Sequence, residues 1–332
     1  MKVLVLTPEW PRLDNPQRGW HIYSHVRMLS DCEVLDGRVF AYRPGRDPRR
    51  WRALRRSFQR VVRHHPPDLL HGQWSYSYAI GGGLGVPMLV QFNGSDGNGW
   101  PQAAPLVNPL NAAWGRWVAR RASGVLFPNA RMQQRFPTGR PHWVAPPGVD
   151  EDFFDLRDPA GCRRRLGLDP QRPVVLFAGQ RHRPVKRYPL ARRLIERLRA
   201  QPGSDVQELL AEGVPQRDMP DYYGAADVLL LVSSAEGSPN VVREALMCGC
   251  AVVATPVGDL PEYLESFPGC RLLDDPCADP DAAVRCLRGS LQEAATARHE
   301  RRQRALARFG KRRYQRTLYE AYLATRQAFR QR

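Results

Sequence analysis

Residues 227–256 read DVLLLVSSAEGSPNVVREALMCGCAVVATP, and this stretch determines the fold class. Residues 227–232 form a short apolar run typical of a buried strand, residues 239–248 have helical periodicity, and residues 251–254 form a second apolar run. A strand, a helix and a strand in this order predict a parallel βαβ unit. Because ligands of open α/β sheets bind at the carboxyl ends of the strands, the turn at 233–239 is the first place to look for a binding site.

The same alternation of strand-like and helical segments runs along the whole chain. In the first half, strands are predicted at 3–6, 68–73, 87–93 and 124–128, and a helix is predicted at 20–29. A second series begins with a strand at 174–178 and a helix at 190–199. Two such series predict two doubly wound domains, with a hinge near residues 146–150.

Length and composition also favour a two-domain protein that does not span a membrane. The chain has 332 residues, and its mean hydropathy is −0.49. No apolar run reaches the roughly 18 residues that a spanning helix needs. The sequence MKVLVLTPEW at the start leads directly into a strand, which predicts that there is no secretory signal. The seven cysteines lack metal-ligand spacing, so we expect reduced thiols in a cytoplasmic protein.

The net charge of +17 is concentrated in two segments. Residues 49–63 contain seven arginines and no acidic residue, and residues 298–332 contain twelve basic residues against two glutamates. Such local basicity predicts an anionic partner surface, although solvated helix faces are an equally good interpretation. A nucleic acid partner is not expected, because helix-turn-helix, zinc-finger and RNP signatures are all absent.

The sequence lacks the nucleotide-binding motifs of several other α/β folds. G-x-G-x-x-G does not follow the first strand, and G-x-x-x-x-G-K-[ST] does not occur. Dinucleotide oxidoreductases and P-loop enzymes are therefore not expected. Residues 279–281 have the D-x-D form of a metal site, but they do not end an apolar strand. Asp279 is predicted to cap a helix, and no metal site is predicted.

Two glutamates near the turn at 233–239 can bind a polar ligand. Glu236 lies in the loop and can accept hydrogen bonds from sugar hydroxyls, whereas Glu244 lies in the helix and can accept two from a ribose diol. Ser238 is predicted as the N-cap and Pro239 as the first helical residue, so the helix would present free N–H groups to an anion. The alternative interpretation is a capped helix with two surface glutamates.

A second candidate loop follows the strand at 174–178. It contains Lys186, one of only three lysines in a chain with 47 arginines. Lys186, together with Arg181 or Arg183, provides cations that could hold a diphosphate leaving group. The alternative is an arginine-rich surface loop without a ligand.

These residues resemble those of the retaining glycosyltransferases of family 4, which have the GT-B fold. Glu236 and Glu244 match the E-x7-E element of that family, and residues 214–228 and 254–262 are similar to the segments before and after it. Residues 147–150 are similar to the interdomain segment. The sequence EGSPNVVREAL at residues 236–246 is most similar to the corresponding segment in enzymes of bacterial surface polysaccharide synthesis, such as the teichuronic-acid type.

The resemblance implies an α/β fold with two Rossmann-like doubly wound domains facing a central cleft. Residues 1–149 would bind the acceptor, residues 150–313 would bind the nucleotide sugar, and a final helix at 314–332 would pack back on the first domain. The implied donor is a UDP- or GDP-sugar, with no metal or other cofactor. The implied acceptor is a glycan or a polyprenyl-diphosphate-linked glycan.

The resemblance also implies roles for individual residues. Glu236 would hold sugar hydroxyls, Lys186 and Arg181 would stabilise the departing diphosphate, and Asn93 would lie near the donor sugar. Glu244 would hold the ribose. The remaining residues expected around the donor are Gly19, Ser238, Pro239, Asn240, Val241 and Val214.

The sequence departs from the family pattern at three of these places. Asn93 and Gln73 replace the usual histidines, and Arg187 replaces the usual glycine after the lysine. A protein of this fold that binds nucleotide sugars without transferring them is therefore the main alternative. A nucleotide-sugar epimerase is another, but it would need more acid/base histidines than the sequence provides.

The basic segments predict where the protein works. Residues 51, 54, 58 and 62 form an apolar stripe surrounded by arginines, and the C-terminal segment is built similarly. If both segments lie on one face of the first domain, that face can dock on an anionic membrane. We therefore expect a cytoplasmic protein that associates peripherally with the membrane.

Overall fold

The chain folds into two compact units. The structure, a computed structural model, describes residues 1–11, 19–43, 45, 47–94, 96 and 107–331. Unit 1 comprises Met1–Gly148 and Lys311–Arg332, and unit 2 comprises Val149–Gly310. Each unit contains a parallel sheet with helices packed on it, which confirms the predicted α/β fold class.

Unit 1 has a six-stranded sheet within its described residues, in the order β2-β1-β3-β4-β5-β6, with all neighbouring strands parallel. The strands are β1 (Lys2–Thr7), β2 (Asp36–Ala41), β3 (Leu69–Gln73), β4 (Met88–Gln91), β5 (Gly124–Phe127) and β6 (His142–Val144). Within the described part of this unit, the helices before residue 149 include α1 (Trp20–Ser30), α2 (Pro48–His64), α3 (Tyr78–Gly81), α4 (Val107–Arg121) and α5 (Ala130–Arg135).

Unit 2 has a five-stranded parallel sheet in the order β11-β10-β9-β7-β8. Its strands are β7 (Val174–Ala178), β8 (Gln207–Ala211), β9 (Val228–Leu231), β10 (Ala251–Ala254) and β11 (Arg271–Leu272). Its helices are α6 (Pro159–Arg165), α7 (Tyr188–Arg199), α8 (Met219–Ala225), α9 (Asn240–Met247), α10 (Pro280–Ala294) and α11 (Arg298–Phe309). The last helix of the chain, α12 (Lys311–Arg330), returns to unit 1. Asp279 accepts the Ala282 N–H and caps α10, as predicted.

The two faces of the unit 1 sheet carry different helices. Because side chains alternate along a strand, Val5 of β1 packs in one core with α1 and with Leu318 of α12. Leu6, the next residue, packs in the opposite core with Phe58 of α2 and Val118 of α4. The basic helices α2 and α12 therefore lie on opposite faces of this sheet, and the prediction that they form one basic face is wrong.

The basic segment at 298–332 is also divided between the two units, and part of it is internal. Arg298 and Arg301 of α11 are buried in unit 2, and Arg302 is half-buried. Their guanidinium groups donate to backbone carbonyls at the ends of neighbouring elements, including those of Gly224 and Gly249. These cations stabilise the fold of unit 2, so they are not the surface charges that the sequence suggested.

Helix α12 is fixed to unit 1 through two buried histidines. In His71 of β3, Nδ1 lies 2.8 Å from the Tyr322 hydroxyl and Nε2 lies 3.1 Å from the Gln91 amide oxygen. In His25 of α1, Nδ1 lies 3.0 Å from the Tyr314 hydroxyl, and the two imidazole rings meet edge to face at 4.9 Å. Burial lowers the pKa of both rings, that of His71 to about 3.

We expect unit 1 to lose stability as the pH falls from about 6.5 towards 3. The unfolded chain, with histidine pKa values near 6.5, takes up protons before the folded one does. The contribution of His71 is therefore complete above pH ~6.5 and is lost as the pH falls through the folded pKa of about 3. Asp96 acts in the opposite direction, because burial raises its pKa to about 7 and its contribution to stability therefore grows as the pH falls. We expect the two histidines together to outweigh this single carboxyl.

Urea unfolding across this pH range measures the effect. His71→Asn should give a shallower pH dependence of the unfolding free energy than the wild type, whatever its absolute stability. His142→Asn, which removes an exposed histidine of the same unit, should keep the wild-type slope. Equal slopes for all three proteins would contradict the assignment.

Candidate functional site

The loops that follow adjacent strands of unit 2 meet at the carboxyl edge of its sheet. The Ser234 N–H, in the loop after β9, donates to the Val185 carbonyl in the loop after β7, with an N···O distance of 2.9 Å. The Thr255 hydroxyl, just after β10, donates to the Ser233 carbonyl at 2.6 Å. Gly258 has φ +61°, and a Cβ there would collide with the Gly237 carbonyl. Three loops are thus fixed to one another where parallel strands conventionally bind ligands.

Lys186 and Glu236 are brought together in this place. Lys186 ends a single 3-10 turn, Pro184–Lys186, and its Nζ donates to Glu236 Oε1 at 2.6 Å. Each side chain is 16% exposed. Gly179 has φ +154°, a backbone conformation that favours glycine, and the methylene groups of Lys186 pass at van der Waals distance, 3.6 Å from the position a Cβ would occupy. The pair places a fixed cation and a fixed carboxylate at the sheet edge, within reach of solvent.

Glu244 has a different environment on α9. Its Oε2 accepts the Tyr223 hydroxyl at 2.8 Å and its Oε1 accepts the Gln216 side-chain N–H at 3.1 Å. Burial raises the pKa of the Glu244 carboxyl, and the two hydrogen bonds act in the opposite direction. Each carboxylate oxygen can accept a further hydrogen bond, and the residue is only half-buried. A diol could therefore bind without displacing either internal partner.

The start of α9 is determined by a buried arginine that the sequence analysis missed. Arg243 is 1% exposed and donates to the Ser238 hydroxyl and to the Asn240 side-chain oxygen. Ser238 in turn donates to the buried Asp259 at 2.6 Å. The predicted N-cap is therefore wrong: Pro239 occupies that position, without a capping side chain, and the helix begins at Asn240. The sequence did contain a signal for this contact, because Arg243 lies on the apolar side of the predicted helix.

The other residues predicted in unit 2 have identifiable places. Arg181 is exposed and forms an ion pair with Glu212, in which Nε lies 2.5 Å from the carboxylate oxygen. The Arg181 N–H donates to the same carboxylate at 2.8 Å. Arg183 is exposed in the same loop. Val214 and Val241 are partly buried against the core of unit 2.

Two predicted residues, Gly19 and Asn93, belong to unit 1. Gly19 precedes α1 at φ +69°, where a Cβ would lie 2.6 Å from the Glu9 carbonyl carbon, so glycine is required. The side-chain N–H of Asn93 donates to Gln73 at 3.2 Å. Its backbone N–H donates at 2.8 Å to Asp96, a buried carboxyl that the sequence analysis also missed. Asp96 joins the loops that follow β3 and β4.

The unit 2 arrangement can hold an anion beside a hydroxylated group. Lys186 supplies the charge, the first turn of α9 supplies N–H groups that lack intrahelical partners, and Glu236 and Glu244 supply hydroxyl acceptors. Among the described residues, no group of three or more histidine, cysteine, aspartate and glutamate side chains could hold a metal ion.

Comparison with protein families matches both units. The family described as "Glycosyltransferase Family 4" matches residues 1–153, and the family described as "Glycosyl transferases group 1" matches residues 172–291. Both descriptions are of glycosyltransferases, and each family model matches most of one unit. The predicted resemblance to glycosyltransferase family 4 is thereby confirmed, whereas the roles of the individual residues stay predictions.

Two curated relatives show how far the similarity extends. D-inositol 3-phosphate glycosyltransferase of Segniliparus rotundus is 34% identical over 146 residues, which are 36% of this chain and 32% of the relative. The chain thus spans about a third of the length of that relative. The putative teichuronic acid biosynthesis glycosyltransferase TuaC of Bacillus subtilis is 28% identical over 214 residues, 58% of this chain and 54% of TuaC.

Solved structures of glycosyltransferases share the fold of almost the whole chain. Sucrose-phosphate synthase of Thermosynechococcus elongatus superimposes with a TM-score of 0.79 at 15% identity and full coverage of both chains. Anabaena HepE, in a complex with UDP-glucose, gives a TM-score of 0.70 at 17% identity over 96% of this chain and 98% of that one. Likeness at these identities shows the fold, which is GT-B.

Arg187, where the family has glycine, has a left-handed backbone. Its φ is +53° and its ψ is +41°, a conformation that costs a residue with a Cβ roughly 1–2 kcal/mol. We expect Arg187→Gly to leave the free energy of unfolding unchanged or to raise it by up to about 1 kcal/mol, since relief of strain offsets the entropy of an unfolded glycine.

The matched control for this prediction is Arg193→Gly, at an exposed position inside α7. It should lower the free energy of unfolding by about 1 kcal/mol. Denaturant titration of both variants measures the difference, and an equal loss in the two would contradict the assignment of strain.

Proposed function

We propose that this protein is a retaining glycosyltransferase that transfers a sugar from a nucleoside diphosphate donor to an acceptor hydroxyl. The bond between the anomeric carbon and the diphosphate breaks, a bond from that carbon to the acceptor oxygen forms, and the proton of the acceptor hydroxyl passes to the departing diphosphate. The observation that carries the proposal is the Lys186–Glu236 pair beside the start of α9, with Glu244 eight residues further on.

Each residue has a role that its environment supports. Lys186, at a fixed position on the sheet edge, stabilises the diphosphate as negative charge develops on it, together with the N–H groups of α9. Glu236 accepts hydrogen bonds from the sugar, and Glu244 accepts them from the ribose. Arg181 or Arg183 adds a second cation at the diphosphate. These residues would do this without a metal ion.

The finer substrate assignments are also proposals. A UDP-sugar is favoured over a GDP-sugar as the donor, because the structural neighbour HepE was solved with UDP-glucose. Similarity to TuaC supports a role in cell-surface polysaccharide synthesis, with a glycan or polyprenyl-diphosphate-linked acceptor bound on unit 1. Such an acceptor would require peripheral association with the cytoplasmic face of an anionic membrane.

A protein that binds nucleotide sugars without transferring them is the second candidate. It is favoured by Asn93 and Gln73, whose amides hydrogen-bond to each other in unit 1 where the family pattern has histidines. Incubation with radiolabelled UDP- and GDP-sugars and a membrane lipid extract separates the candidates. Binding of a nucleotide sugar without any labelled glycan product would favour this second function.

Glu244→Gln tests the ribose assignment. Loss of a charged acceptor costs about 1.5–3 kcal/mol, so the KM for the donor should rise about tenfold or more. Tyr223→Phe is the matched control, because it removes the internal hydrogen bond to Glu244 and leaves the carboxylate in place. Titration with the nucleotide sugar should show a large loss for the first variant and a small loss for the second. Equal losses would indicate that Glu244 is only structural.

Lys186→Ala tests the proposed metal independence together with EDTA. The variant should lose about 100-fold or more in kcat, the loss typical when a group that stabilises transition-state charge is removed, while excess EDTA should leave the wild-type rate unchanged. Lys311→Ala, which removes a lysine paired with Asp31 at 3.5 Å in unit 1, is the control for loss of an ion pair. Inactivation by EDTA with recovery in Mg²⁺ or Mn²⁺ would contradict this mechanism.

A further inference from the structure

The outer side of α4 has an exposed apolar stripe. Val107, Leu110 and Trp117 recur at helical spacing on one side of this helix, and they are 39%, 67% and 44% exposed. The described residues include six exposed large hydrophobic side chains, and three of them lie on this one helix face. Such clustering distinguishes the stripe from the single apolar side chains that are ordinary on a surface.

The aromatic part of the stripe is held rigidly from the protein side. The Trp117 ring stacks on Trp114 with the ring centres 5.0 Å apart and meets the edge of Tyr78 at 5.5 Å. The Arg121 guanidinium lies 5.6 Å from the centre of the Trp117 ring. An ordered tryptophan beside an arginine is the combination that membrane interfaces favour.

The part of the chain that contains α2 and α4 is strongly basic. Residues 47–142 contain thirteen arginines, no lysine, no glutamate and three aspartates. Each aspartate is engaged within the protein. Asp47 caps α2, the backbone of Lys2 donates to Asp68, and Asp96 is buried with two backbone hydrogen bonds. The exposed arginines of α2 and α4 therefore outnumber the acidic side chains of this part of the chain.

The two helices share one side of unit 1. Phe58 of α2 and Val118 of α4 pack into the same core on one face of the sheet, with α3 between them in the chain. Arg55 of α2 is internal to this side, because it donates to the carbonyls of Ala79, Ile80 and Gly82 at 2.9–3.2 Å. Arg52, Arg56 and Arg60 are exposed on successive turns of α2.

We propose that the α2–α4 side of unit 1 is the membrane-docking surface, with Leu110 and Trp117 inserted at the headgroup boundary of an anionic bilayer. The proposal rests on the membrane association proposed above and specifies which surface makes the contact. An apolar and aromatic stripe on the same side of unit 1 as exposed arginines matches a lipid interface, which offers hydrocarbon below and phosphate above. A soluble polyanion would bind the arginines alone and leave the stripe in water.

Co-sedimentation with vesicles of phosphatidylglycerol and phosphatidylcholine tests the proposal. Leu110→Ser combined with Trp117→Ser should raise the lipid concentration for half-maximal binding about tenfold or more, since both apolar anchors are lost. Leu323→Ser is the matched control, because Leu323 is 44% exposed on α12, a helix of the opposite sheet face. It should bind like the wild type.

Charge is tested with two triple variants. Arg52, Arg56 and Arg60 on α2 are replaced by glutamine in one protein, and the exposed Arg312, Arg313 and Arg316 on α12 are replaced in the other. The first variant should weaken binding by several-fold at low salt, and the second should not. The difference should shrink as ionic strength rises.

Each remaining outcome has a definite meaning. Equal weakening by the α2 and α12 triples, or wild-type binding by the double serine variant, would overturn the assignment of this surface. Binding to heparin or RNA but not to vesicles would replace the lipid with a polyanion. Binding of UDP-glucose to the protein in solution is measured in parallel. A protein that binds UDP-glucose but not vesicles would retain the glycosyltransferase proposal and reject the docking surface.

Discussion

Buried guanidinium groups hold the elements of unit 2 in place. The carbonyls at the carboxyl end of a helix have no intrahelical partner, and arginine has five N–H donors that can satisfy several of them at once. Arg298 donates to carbonyls at the end of α8, and Arg301 and Arg302 donate to carbonyls at the end of α9. All three belong to α11, which is thereby joined to the two helices that carry Tyr223 and Glu244. The environment of Glu244 therefore depends on side chains that do not touch it.

The site combines this scaffold with a constraint of parallel sheets, in which the carboxyl ends of β7, β9 and β10 lie at one edge. Every carboxylate there already has a partner within the protein. Lys186 pairs with Glu236, Tyr223 donates to Glu244, and Ser238 donates to Asp259. A diphosphate bound at Lys186 would compete with Glu236 for the same cation. In the proposed function, this exchange would release Glu236 for the sugar hydroxyls.

The sequence allowed the central strands to be predicted because they are continuous apolar runs, as buried parallel strands are. It did not indicate β2, whose residues DGRVFA are partly exposed, or the short β6 and the polar-faced β8. Glu236, Glu244 and Lys186 could be proposed as site residues because each follows such a strand in the chain. Ser238 was misassigned as a cap because its hydroxyl accepts from Arg243, five residues further on, and donates to Asp259, which is 21 residues away. The contact with Asp259 leaves no local pattern, whereas Arg243 does.

The charge of the chain also has to be separated into cations at the surface and cations that bind within the protein. A net charge of +17 describes the chain, but a partner can contact only the cations at the surface. A guanidinium that donates to carbonyls, as in Arg55 or Arg301, remains positive, yet the N–H groups that make those bonds are not available to an external phosphate. Its field is also screened beyond a Debye length of about 8 Å at physiological ionic strength. The binding properties of unit 1 must therefore follow from its exposed arginines and exposed apolar side chains. The surfaces of α2 and α4 determine these properties more than the net charge of the chain does.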